Sequence, residues 1–389
     1  MSDVVIIDAV RSPVGKRNGG LSTMHPADLL GSVLKSLFER TGIDPSQVDQ
    51  ALTGCVTAVG EQSFNIGRTA WLSAGLPISV ANTTVDTQCG SSQQAANLAV
   101  SLVASGAIDI AVASGVESMS RVPIGANTSN GPGKAIPKSY FARLEYTSQF
   151  EGAERIAEKW GLQRDDTDRF GLRSQQLGAQ AWAESRFDTQ VVPIEAPVLG
   201  EDGKPTGKTV TVQKDEGLRA TSLEKLGSLK PVARPDGVHT AGSSSQISDG
   251  AAAMLLMTEA KARELGLTPA ARVVEHCLVG VDPVLMLTGP IDATERLLKR
   301  SGWNIDDIDT FEINEAFASV VLAWEKECGP DPDRVNPNGG AIALGHPLGA
   351  TGVILLAKAI HELARSGGHR ALVSMCCGGG LGTGTLLER

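Results

Sequence analysis

The chain has 389 residues, of which 41% are hydrophobic and 20% are charged, and its formal net charge is −9. This composition is typical of a large globular protein with more than one domain, and it excludes an intrinsically disordered chain. The negative charge argues against nucleic acid as the main partner, because nucleic-acid binding needs a basic face.

The first third of the chain alternates short apolar runs with helical patterns. Residues 4–7 predict a buried strand, residues 27–39 place leucines and valines on one side of a helix, and residues 108–113 predict another buried strand. This alternation favours α/β layers built around a mostly parallel sheet.

One pattern occurs twice along the chain. A helix, a Ser-Gly pair and a buried strand follow one another over residues 93–113 and again over residues 352–374. Residues 4–9 similarly resemble residues 271–276. We therefore predict two related halves built from a duplicated βα unit.

The middle of the chain, from about residue 121 to residue 245, has a different character. It has few long apolar runs, many Gly, Asn, Pro and Ser residues, and several basic clusters. Helices are predicted at residues 153–160 and 166–185, and core-like composition resumes at residue 247. We interpret this stretch as a separate lobe inserted into the first half.

Three glycine-rich segments, at residues 86–92, 338–347 and 376–381, place a cysteine or a histidine beside glycines. Because glycine has no Cβ, backbone N–H groups can approach a reacting atom there. Cys89 precedes a helix of small residues, and a helix N-terminus is expected to lower the pKa of its thiol. His346 is the candidate general base. With the second thiol at residue 376, the pattern predicts thiol chemistry that needs a nucleophile and a separate acid or base.

These segments, together with three others, resemble the motifs of the thiolase family in the family's order and along nearly the whole chain. The matching positions are residues 11–15, 89–91, 115–120, 314–317, 338–347, 376 and 378–380. The resemblance implies an α/β thiolase fold with duplicated βαβαβαββ halves, a layered αβαβα arrangement and an inserted loop domain. The implied domains are an N-terminal half over 1–118 plus 247–268, a loop domain over 119–246 that binds coenzyme A, and a C-terminal half over 269–389.

The resemblance also implies the activity. A thiolase is an acyltransferase that uses coenzyme A to cleave a 3-ketoacyl-CoA into acetyl-CoA and a shortened acyl-CoA, through an acyl-cysteine intermediate, and the reverse reaction is a Claisen condensation. No tightly bound cofactor is expected, since CoA and acyl-CoA are substrates.

The same resemblance assigns roles to five residues. Cys89 would carry the acyl group as a thioester, His346 would help to deprotonate it, and Cys376 would move the proton at the α-carbon of acetyl-CoA. Two thiols are needed because the first is acylated when that proton moves. Asn314 would hold a water that forms one oxyanion hole with His346, and the N–H groups of Cys89 and Gly378 would form the other. Cys377 is interpreted as a packing residue.

Two further residues are expected to bind coenzyme A. Ser245 lies in the segment 240–245, where relatives contact the pantetheine arm with a serine. Arg219 lies in the segment 215–219, where relatives place a basic residue near the nucleotide. The alternative for Arg219 is a solvated surface charge.

One departure from the family bears on the substrate. Short-chain acetoacetyl-CoA thiolases carry His-Met-Gly before the helix at 153–160, whereas this chain has Ser148-Gln149-Phe150. This change predicts a reshaped acyl pocket and a degradative 3-ketoacyl-CoA thiolase that accepts larger acyl groups. Residues 15–19, 147–150 and 242–250 also resemble thiolases of steroid side-chain catabolism, although fatty-acyl enzymes could share these segments.

Four other functions were weighed against this one. A short-chain biosynthetic acetoacetyl-CoA thiolase is the nearest alternative. A ketoacyl or polyketide synthase shares the fold, but it usually replaces the second cysteine. A non-catalytic, thiolase-like lipid-binding protein would not need Cys89, His346, Asn314 and Cys376 together. A cysteine protease would leave the Cys376 loop without a role.

The remaining expectations concern location and assembly. No apolar run approaches the roughly 18–20 residues that cross a bilayer, and the acidic N-terminus lacks the basic region of a signal peptide. The six scattered cysteines fit a reducing compartment, and no spacing typical of a metal site is present. We expect a cytoplasmic protein without membrane contact. Relatives are dimers or dimers of dimers, so a homo-oligomer, either a dimer or a tetramer, is expected.

Overall fold

The computed structural model of the protein describes residues 3–129, 131–200 and 204–389. The strands in chain order are β1 (Val4–Arg11), β2 (Gly15–Lys16), β3 (Gln50–Gly54), β4 (Ala81–Val85), β5 (Ile110–Ser118), β6 (Ile194–Leu199), β7 (Pro205–Val212), β8 (Ser248–Thr258), β9 (Ala271–Gly280), β10 (Thr310–Ile313), β11 (Arg370–Cys377) and β12 (Leu381–Glu388). The helices are α1 (Pro26–Thr41), α2 (Ile66–Ser73), α3 (Ser91–Ala104), α4 (Ala126–Ser129), α5 (Lys138–Phe141), α6 (Gln149–Lys159), α7 (Arg164–Ala183), α8 (Leu223–Gly227), α9 (Glu259–Glu264), α10 (Gly289–Ser301), α11 (Ala318–Cys328), α12 (Ala341–Leu344) and α13 (Thr351–Ser366).

The main sheet shows the duplication that the repeated pattern predicts. Its strands lie in the order β10-β11-β12-β9-β1-β8-β5-β3-β4, and β2 pairs with β8. The two halves meet where β1 and β9 share two residue pairs. Outward from that junction, β8, β5 and β3 of the first half correspond to β12, β11 and β10 of the second. A parallel bridge from Phe311 to Val335 then takes the place that β4 has beside β3.

The prediction of a mostly parallel sheet is wrong, because the sheet is mixed. The pairs β3–β4, β3–β5 and β10–β11 are parallel, whereas β1–β8, β1–β9, β5–β8, β9–β12 and β11–β12 are antiparallel. A parallel connection needs a crossover of a dozen or more residues. Residues 378–380 are too few for that, so β12 must return beside β11 as a hairpin.

The layers form the expected αβαβα arrangement. The helices α3 and α13 pack on each other and contact strands of both halves, which makes them the central layer. Strand β11 shows how the sheet separates two cores. Ala371, Val373 and Met375 pack in the cluster that contains α3 and α13, whereas Leu372 packs with residues of α10 and α11 on the other face. The helices α1 and α2 cover the outer face of the first half.

The segment expected to form an inserted lobe contains α4 to α8 and the hairpin β6–β7. The helices α6 and α7 correspond to the two helices predicted there. A buried ion pair fastens this lobe to β1, because both Nη atoms of Arg11 bind the carboxylate of Asp215 at 2.7 and 3.0 Å. Asp215 also accepts hydrogen bonds from the N–H of Val14 and the indole of Trp182. The proposed domain boundaries stay a prediction.

Among the described residues, no helix combines the length and apolar character that crossing a bilayer requires. Within the same residues, no group of three or more His, Cys, Asp or Glu side chains is placed to hold a metal ion.

Candidate active site

Cys89 lies on a tight turn between β4 and α3. The residue before it, Gln88, has a left-handed backbone with a φ of 52°, a conformation that is costly for a residue with a side chain. Asp86 stabilises this turn by accepting a hydrogen bond from the N–H of Gln88 at 2.8 Å. Gly90 is required on the other side, since a Cβ there would lie 2.7 Å from the sulfur of Cys377. The turn therefore fixes the direction of the Cys89 side chain.

Burial dominates the ionisation of Cys89, which is 2% exposed. Desolvation raises the pKa of its thiol to about 11, while the N–H groups of Gly378 and of Cys89 itself act in the opposite direction. The helix α3 begins at Ser91, as the sequence predicts. The helix N-terminus was expected to lower this pKa, and nearby N–H groups do lower it, but desolvation outweighs them and the net shift is upward.

The two N–H groups near the sulfur form a candidate oxyanion hole. The N–H groups of Cys89 and Gly378 both lie close enough to the Cys89 sulfur to lower the pKa of its thiol, and a tetrahedral carbon would form beside that sulfur. Gly378 begins the hairpin turn after β11, and a Cβ at this position would lie 3.3 Å from Oε1 of Gln88. Glycine therefore keeps this side of the site open.

The second thiol, Cys376, and its neighbour Cys377 point to opposite faces of β11. Cys376 packs with Met286 and Phe317, whereas Cys377 packs in the central layer. Burial raises the pKa of Cys376 well above its ordinary value, and the nearby Cys89 and Cys377 raise it further. Burial also raises the pKa of Cys377, and the N–H of Gly90 lies close to its sulfur. Cys376 therefore belongs to the site around Cys89, and Cys377 lies beneath the N-terminus of α3.

His346 lies on the loop between α12 and α13. The φ of Gly345 is 114°, and a Cβ there would lie 2.4 Å from Oγ of Ser248, so glycine is required. The N–H of His346 donates to the same Oγ at 3.0 Å. In the ring, Nδ1 lies 2.7 Å from Oγ1 of Thr351, and Nε2 lies 3.5 Å from Nδ2 of Asn314. Burial lowers the pKa of His346 to about 4, so the imidazole is neutral at pH 7.

A buried carboxylate anchors the loop that carries His346. Glu117 accepts hydrogen bonds from the N–H groups of Gly349, Val56 and Thr57 at 2.9 to 3.0 Å, and from Nε2 of Gln62 at 2.7 Å. These bonds tie the loop to the end of β3, beside the turn that carries Cys89.

Asn314 follows β10 and is buried. Its Oδ1 has no hydrogen-bond partner within the described residues, although a buried amide oxygen normally has one. The adjacent Glu315 is held by Ser174, by Asn336 and by the N–H of Ile342. The backbone that carries Asn314 is therefore well anchored, while its amide oxygen stays available to a ligand or a water.

A cavity of about 670 Å³ opens onto this site. His346, Gly378, Gln88 and Ser245 all line it, as do Met286 and Phe317, which pack against Cys376. Much of its wall is apolar or aromatic, and both tyrosines of the chain face it. This part of the wall is formed by Ile124, Ile136, Tyr140, Tyr146, Phe150 and Met286.

Arg219 lies outside this cavity and lines a smaller one of about 180 Å³, together with Lys225 and Gly242. Gln246 connects the two cavities. It lines the larger one, and its Oε1 accepts a hydrogen bond from Nη2 of Arg219 at 2.8 Å. The two residues expected to contact coenzyme A thus lie along one path that leads away from the thiols.

The structure brings together the catalytic residues predicted from the sequence, with Cys89, Cys376 and Gly378 on one side and His346 and Asn314 on the other. Two residues of the site were not identified from the sequence: Thr351, whose hydroxyl contacts the imidazole, and Ser248, whose hydroxyl accepts a hydrogen bond from the backbone N–H of His346. The signal for Thr351 was a hydroxyl residue five positions after His346, where a predicted helix starts. No local signal identified Ser248, because it lies 98 positions away in the chain.

Two buried thiols, a neutral imidazole and paired N–H donors beside one large cavity define a cysteine-dependent acyl-transfer enzyme. Residues 4–260 match the family model described as Thiolase, N-terminal domain, and residues 267–389 match Thiolase, C-terminal domain. The chain therefore belongs to the thiolase family. It is an acyltransferase whose reaction is the CoA-dependent thiolysis of 3-ketoacyl-CoA.

The most similar relatives extend along the whole chain. The steroid 3-ketoacyl-CoA thiolase FadA6 of Mycobacterium tuberculosis is 46% identical over 100% of this chain and 95% of its own length. A 3-ketoacyl-CoA thiolase of Bacillus subtilis is 42% identical over 100% of both chains. The crystal structure of the Bacillus anthracis acetyl-CoA acetyltransferase superposes with a TM-score of 0.90 at 38% identity, covering 100% of this chain and 99% of that one.

Proposed function

We propose that this thiolase degrades 3-ketoacyl-CoA substrates with bulky acyl groups, and that the five catalytic residues act as follows. The proton of the Cys89 thiol moves to Nε2 of His346 while the sulfur attacks the 3-keto carbon. The carbonyl oxygen becomes an oxyanion, and the N–H groups of Cys89 and Gly378 stabilise it. The proximity of both N–H groups to the sulfur supports this step.

The intermediate then collapses, and the bond between C2 and C3 breaks. Its electron pair forms the enolate of acetyl-CoA, whose oxygen would be held by His346 and by a water bound to Asn314. The Cys376 thiol protonates the α-carbon of this enolate. Because burial raises the pKa of Cys376, the thiol keeps its proton at neutral pH until the enolate forms, and the thiolate that remains is a strong base.

A second half-reaction releases the product. Acetyl-CoA leaves, coenzyme A enters, and the Cys376 thiolate takes the proton of its thiol. The CoA sulfur attacks the acyl-Cys89 thioester, the Cys89 sulfur leaves, and His346 returns the proton. This step regenerates both thiols and yields a CoA thioester shortened by two carbons.

Coenzyme A is proposed to extend from the thiols past Ser245 towards Arg219. Ser245 lines the large cavity, and the Arg219 side chain is exposed beside Lys225, where it can meet phosphate groups. The hydrogen bond from Arg219 to Gln246 supports this path, since it joins the two cavities. No other cofactor is invoked.

The size and the aromatic lining of the cavity support the proposal that the acyl group is bulky. The cavity volume of about 670 Å³, which the pantetheine arm and the acyl group would share, lies within the roughly 300–1,000 Å³ of pockets for drug-sized molecules. Phe150, where short-chain relatives have glycine, packs edge-to-face on Phe317 at 5.4 Å and forms part of the wall. Aromatic walls favour flat or ring-bearing groups. Together with the relative named a steroid thiolase, this wall supports a steroid-derived acyl chain.

Steady-state kinetics test the proposed acyl group. We expect a higher kcat/KM for ring-bearing 3-ketoacyl-CoAs than for acetoacetyl-CoA. Ile136→Trp, which fills the cavity, should lower the bulky-substrate value at least tenfold and leave the acetoacetyl-CoA value nearly unchanged. The control is Leu144→Trp, in the same segment but outside the cavity lining. A preference for acetoacetyl-CoA would favour the short-chain alternative instead.

The protein is also proposed to act as a cytoplasmic homo-oligomer, either a dimer or a tetramer. Strand β4 is the last strand on its side of the sheet, and its outer edge has no strand partner within the described chain. Phe64 and Ile78, which both precede β4 in the chain, are 93% and 82% exposed. An exposed edge beside apolar side chains favours pairing with a second copy.

A further inference from the structure

The hydroxyl of Thr351 lies beside the imidazole of His346, but it has no role in the mechanism proposed above. We propose that Thr351 is a positioning residue that holds His346 in the tautomer whose Nε2 lone pair can accept the Cys89 proton. This inference rests on the proposed role of His346 as the base.

Oγ1 of Thr351 contacts both the carbonyl oxygen of Pro347 and Nδ1 of His346, and the position of each proton follows from these two contacts. Oγ1 of Thr351 lies 2.9 Å from the carbonyl oxygen of Pro347, and such a contact between two oxygens needs a proton between them. The carbonyl has none, so the threonine hydroxyl donates. This is the arrangement in which helical Ser and Thr side chains bond back to the carbonyl four residues earlier.

A hydroxyl has one proton, so Oγ1 can act towards the imidazole only as an acceptor. Nδ1 of His346 lies 2.7 Å from Oγ1 and must therefore carry the hydrogen. A neutral imidazole has one N–H, which leaves a lone pair on Nε2. Because burial lowers the pKa of His346 to about 4, the ring is neutral at pH 7 and this assignment applies there.

The surroundings of Nε2 agree with this assignment. Nδ2 of Asn314 lies 3.5 Å from Nε2, and this amide nitrogen is a donor. A donor faces a lone pair favourably and would face an N–H unfavourably. The lone pair thus lies on the side of the ring that faces the cavity and Asn314, as a base for Cys89 requires.

The hydrogen bond between Nδ1 and Thr351 is also kept when His346 takes the proton of Cys89. When the S–H bond of Cys89 breaks, its proton forms a new N–H bond at Nε2, and no redox change is involved. The ring becomes an imidazolium with two N–H groups, and the one on Nδ1 stays bonded to Thr351. Thr351 is 2% exposed at the start of α13, so its oxygen is fixed in both states.

Matched variants at one position test this proposal. Thr351→Val keeps the shape and removes the acceptor, whereas Thr351→Ser keeps the acceptor. We expect Thr351→Val to slow alkylation of Cys89 by iodoacetamide and to lower kcat, each about 100-fold, the lower end of general-base effects. Thr351→Ser should stay within threefold of the wild type. Peptide mass spectrometry would confirm that Cys89 is the alkylated residue.

A second measurement reads the tautomer itself. In ¹⁵N spectra of histidine-labelled protein, the His346 signal, assigned by its loss in His346→Gln, should show a protonated Nδ1 and an unprotonated Nε2. The reverse pattern in the wild type would overturn the proposal, even if Thr351→Val failed to fold. Wild-type alkylation in a folded Thr351→Val would overturn it as well. If His346→Gln also leaves Cys89 reactivity unchanged, the role of His346 as the base fails instead.

Discussion

At the scale of single residues, burial sets the charge state of the catalytic pair. It raises the pKa of Cys89 to about 11 and lowers that of His346 to about 4, so both shifts favour the neutral thiol and the neutral imidazole. This differs from cysteine enzymes whose resting state is a thiolate beside an imidazolium. Here the proton moves when the substrate is present, and the fixed N–H groups then stabilise the charge that develops.

The pH dependence of the ultraviolet thiolate absorbance of Cys89, taken as the difference between the wild type and Cys89→Ala, tests this charge state. The thiolate fraction increases with pH at any pH below the thiol pKa. Because that pKa is near 11, the absorbance should increase from pH 6 to pH 10 without reaching a plateau. No step should occur near pH 6.5, since His346 stays neutral until the pH falls towards 4. A plateau between pH 5 and pH 8 would instead indicate a resting thiolate–imidazolium pair.

The candidate catalytic residues could be predicted from the sequence, whereas the residues that position them could not. Cys89, His346 and Cys376 stand beside glycines in recognisable motifs, and such local patterns can be read along the chain. Ser248 and Thr351 are ordinary residues until folding brings Ser248 to the backbone of His346 and Thr351 to its imidazole. The net pKa of Cys89 also escaped prediction, because desolvation depends on packing from distant parts of the chain.

At the scale of elements, the placement of the site depends on turns and anchors. The hairpin between β11 and β12 aims the Gly378 N–H at Cys89, and the anchored loop before α13 presents His346. The inserted lobe is tied to β1 by the buried pair of Arg11 and Asp215, both of which are fully buried. This lobe supplies Ser245 and much of the cavity wall, so its attachment affects the site directly.

Removing one charge of this pair should destabilise the protein. Asp215→Asn leaves the Arg11 charge buried without a counter-ion, and breaking a buried pair in this way costs about 3–5 kcal/mol. We expect a clear fall in the free energy of unfolding, measured by urea denaturation followed by fluorescence. Asp165→Asn is the control, because Asp165 pairs with Arg169 where both side chains are mostly exposed. Equal midpoints for the two variants would contradict this role of the pair.

The relative directions of the strands could not be predicted from the sequence. The alternation of strands and helices correctly predicted α/β layers, and the repeated helix–Ser-Gly–strand pattern correctly predicted two related halves. The sheet was nevertheless expected to be mostly parallel. Which strands become neighbours depends on long-range pairing, such as β1 beside both β8 and β9, and that pairing leaves no local pattern in the sequence.

At the scale of the whole molecule, the duplicated fold provides the reason for two cysteines from distant parts of the chain. Cys89 precedes α3 in the first half, and Cys376 is the next-to-last residue of β11 in the second half. The central layer of α3 and α13 holds the halves together, and the two thiols lie close to each other near the cavity that His346 and Gly378 line. The inserted lobe lines much of this cavity, and we propose that it selects the acyl group and binds the nucleotide.

The central step of the proposed mechanism is the transfer of the acyl group to Cys89. The direct measurement is peptide mass spectrometry of enzyme mixed with a ring-bearing 3-ketoacyl-CoA without free coenzyme A and quenched in acid. We predict that the peptide containing Cys89 gains the mass of the shortened acyl group, and that Cys89→Ala shows neither this adduct nor cleavage. Cleavage that persists in Cys89→Ala, or an adduct on Cys376 or Cys377 in the wild type, would contradict the account.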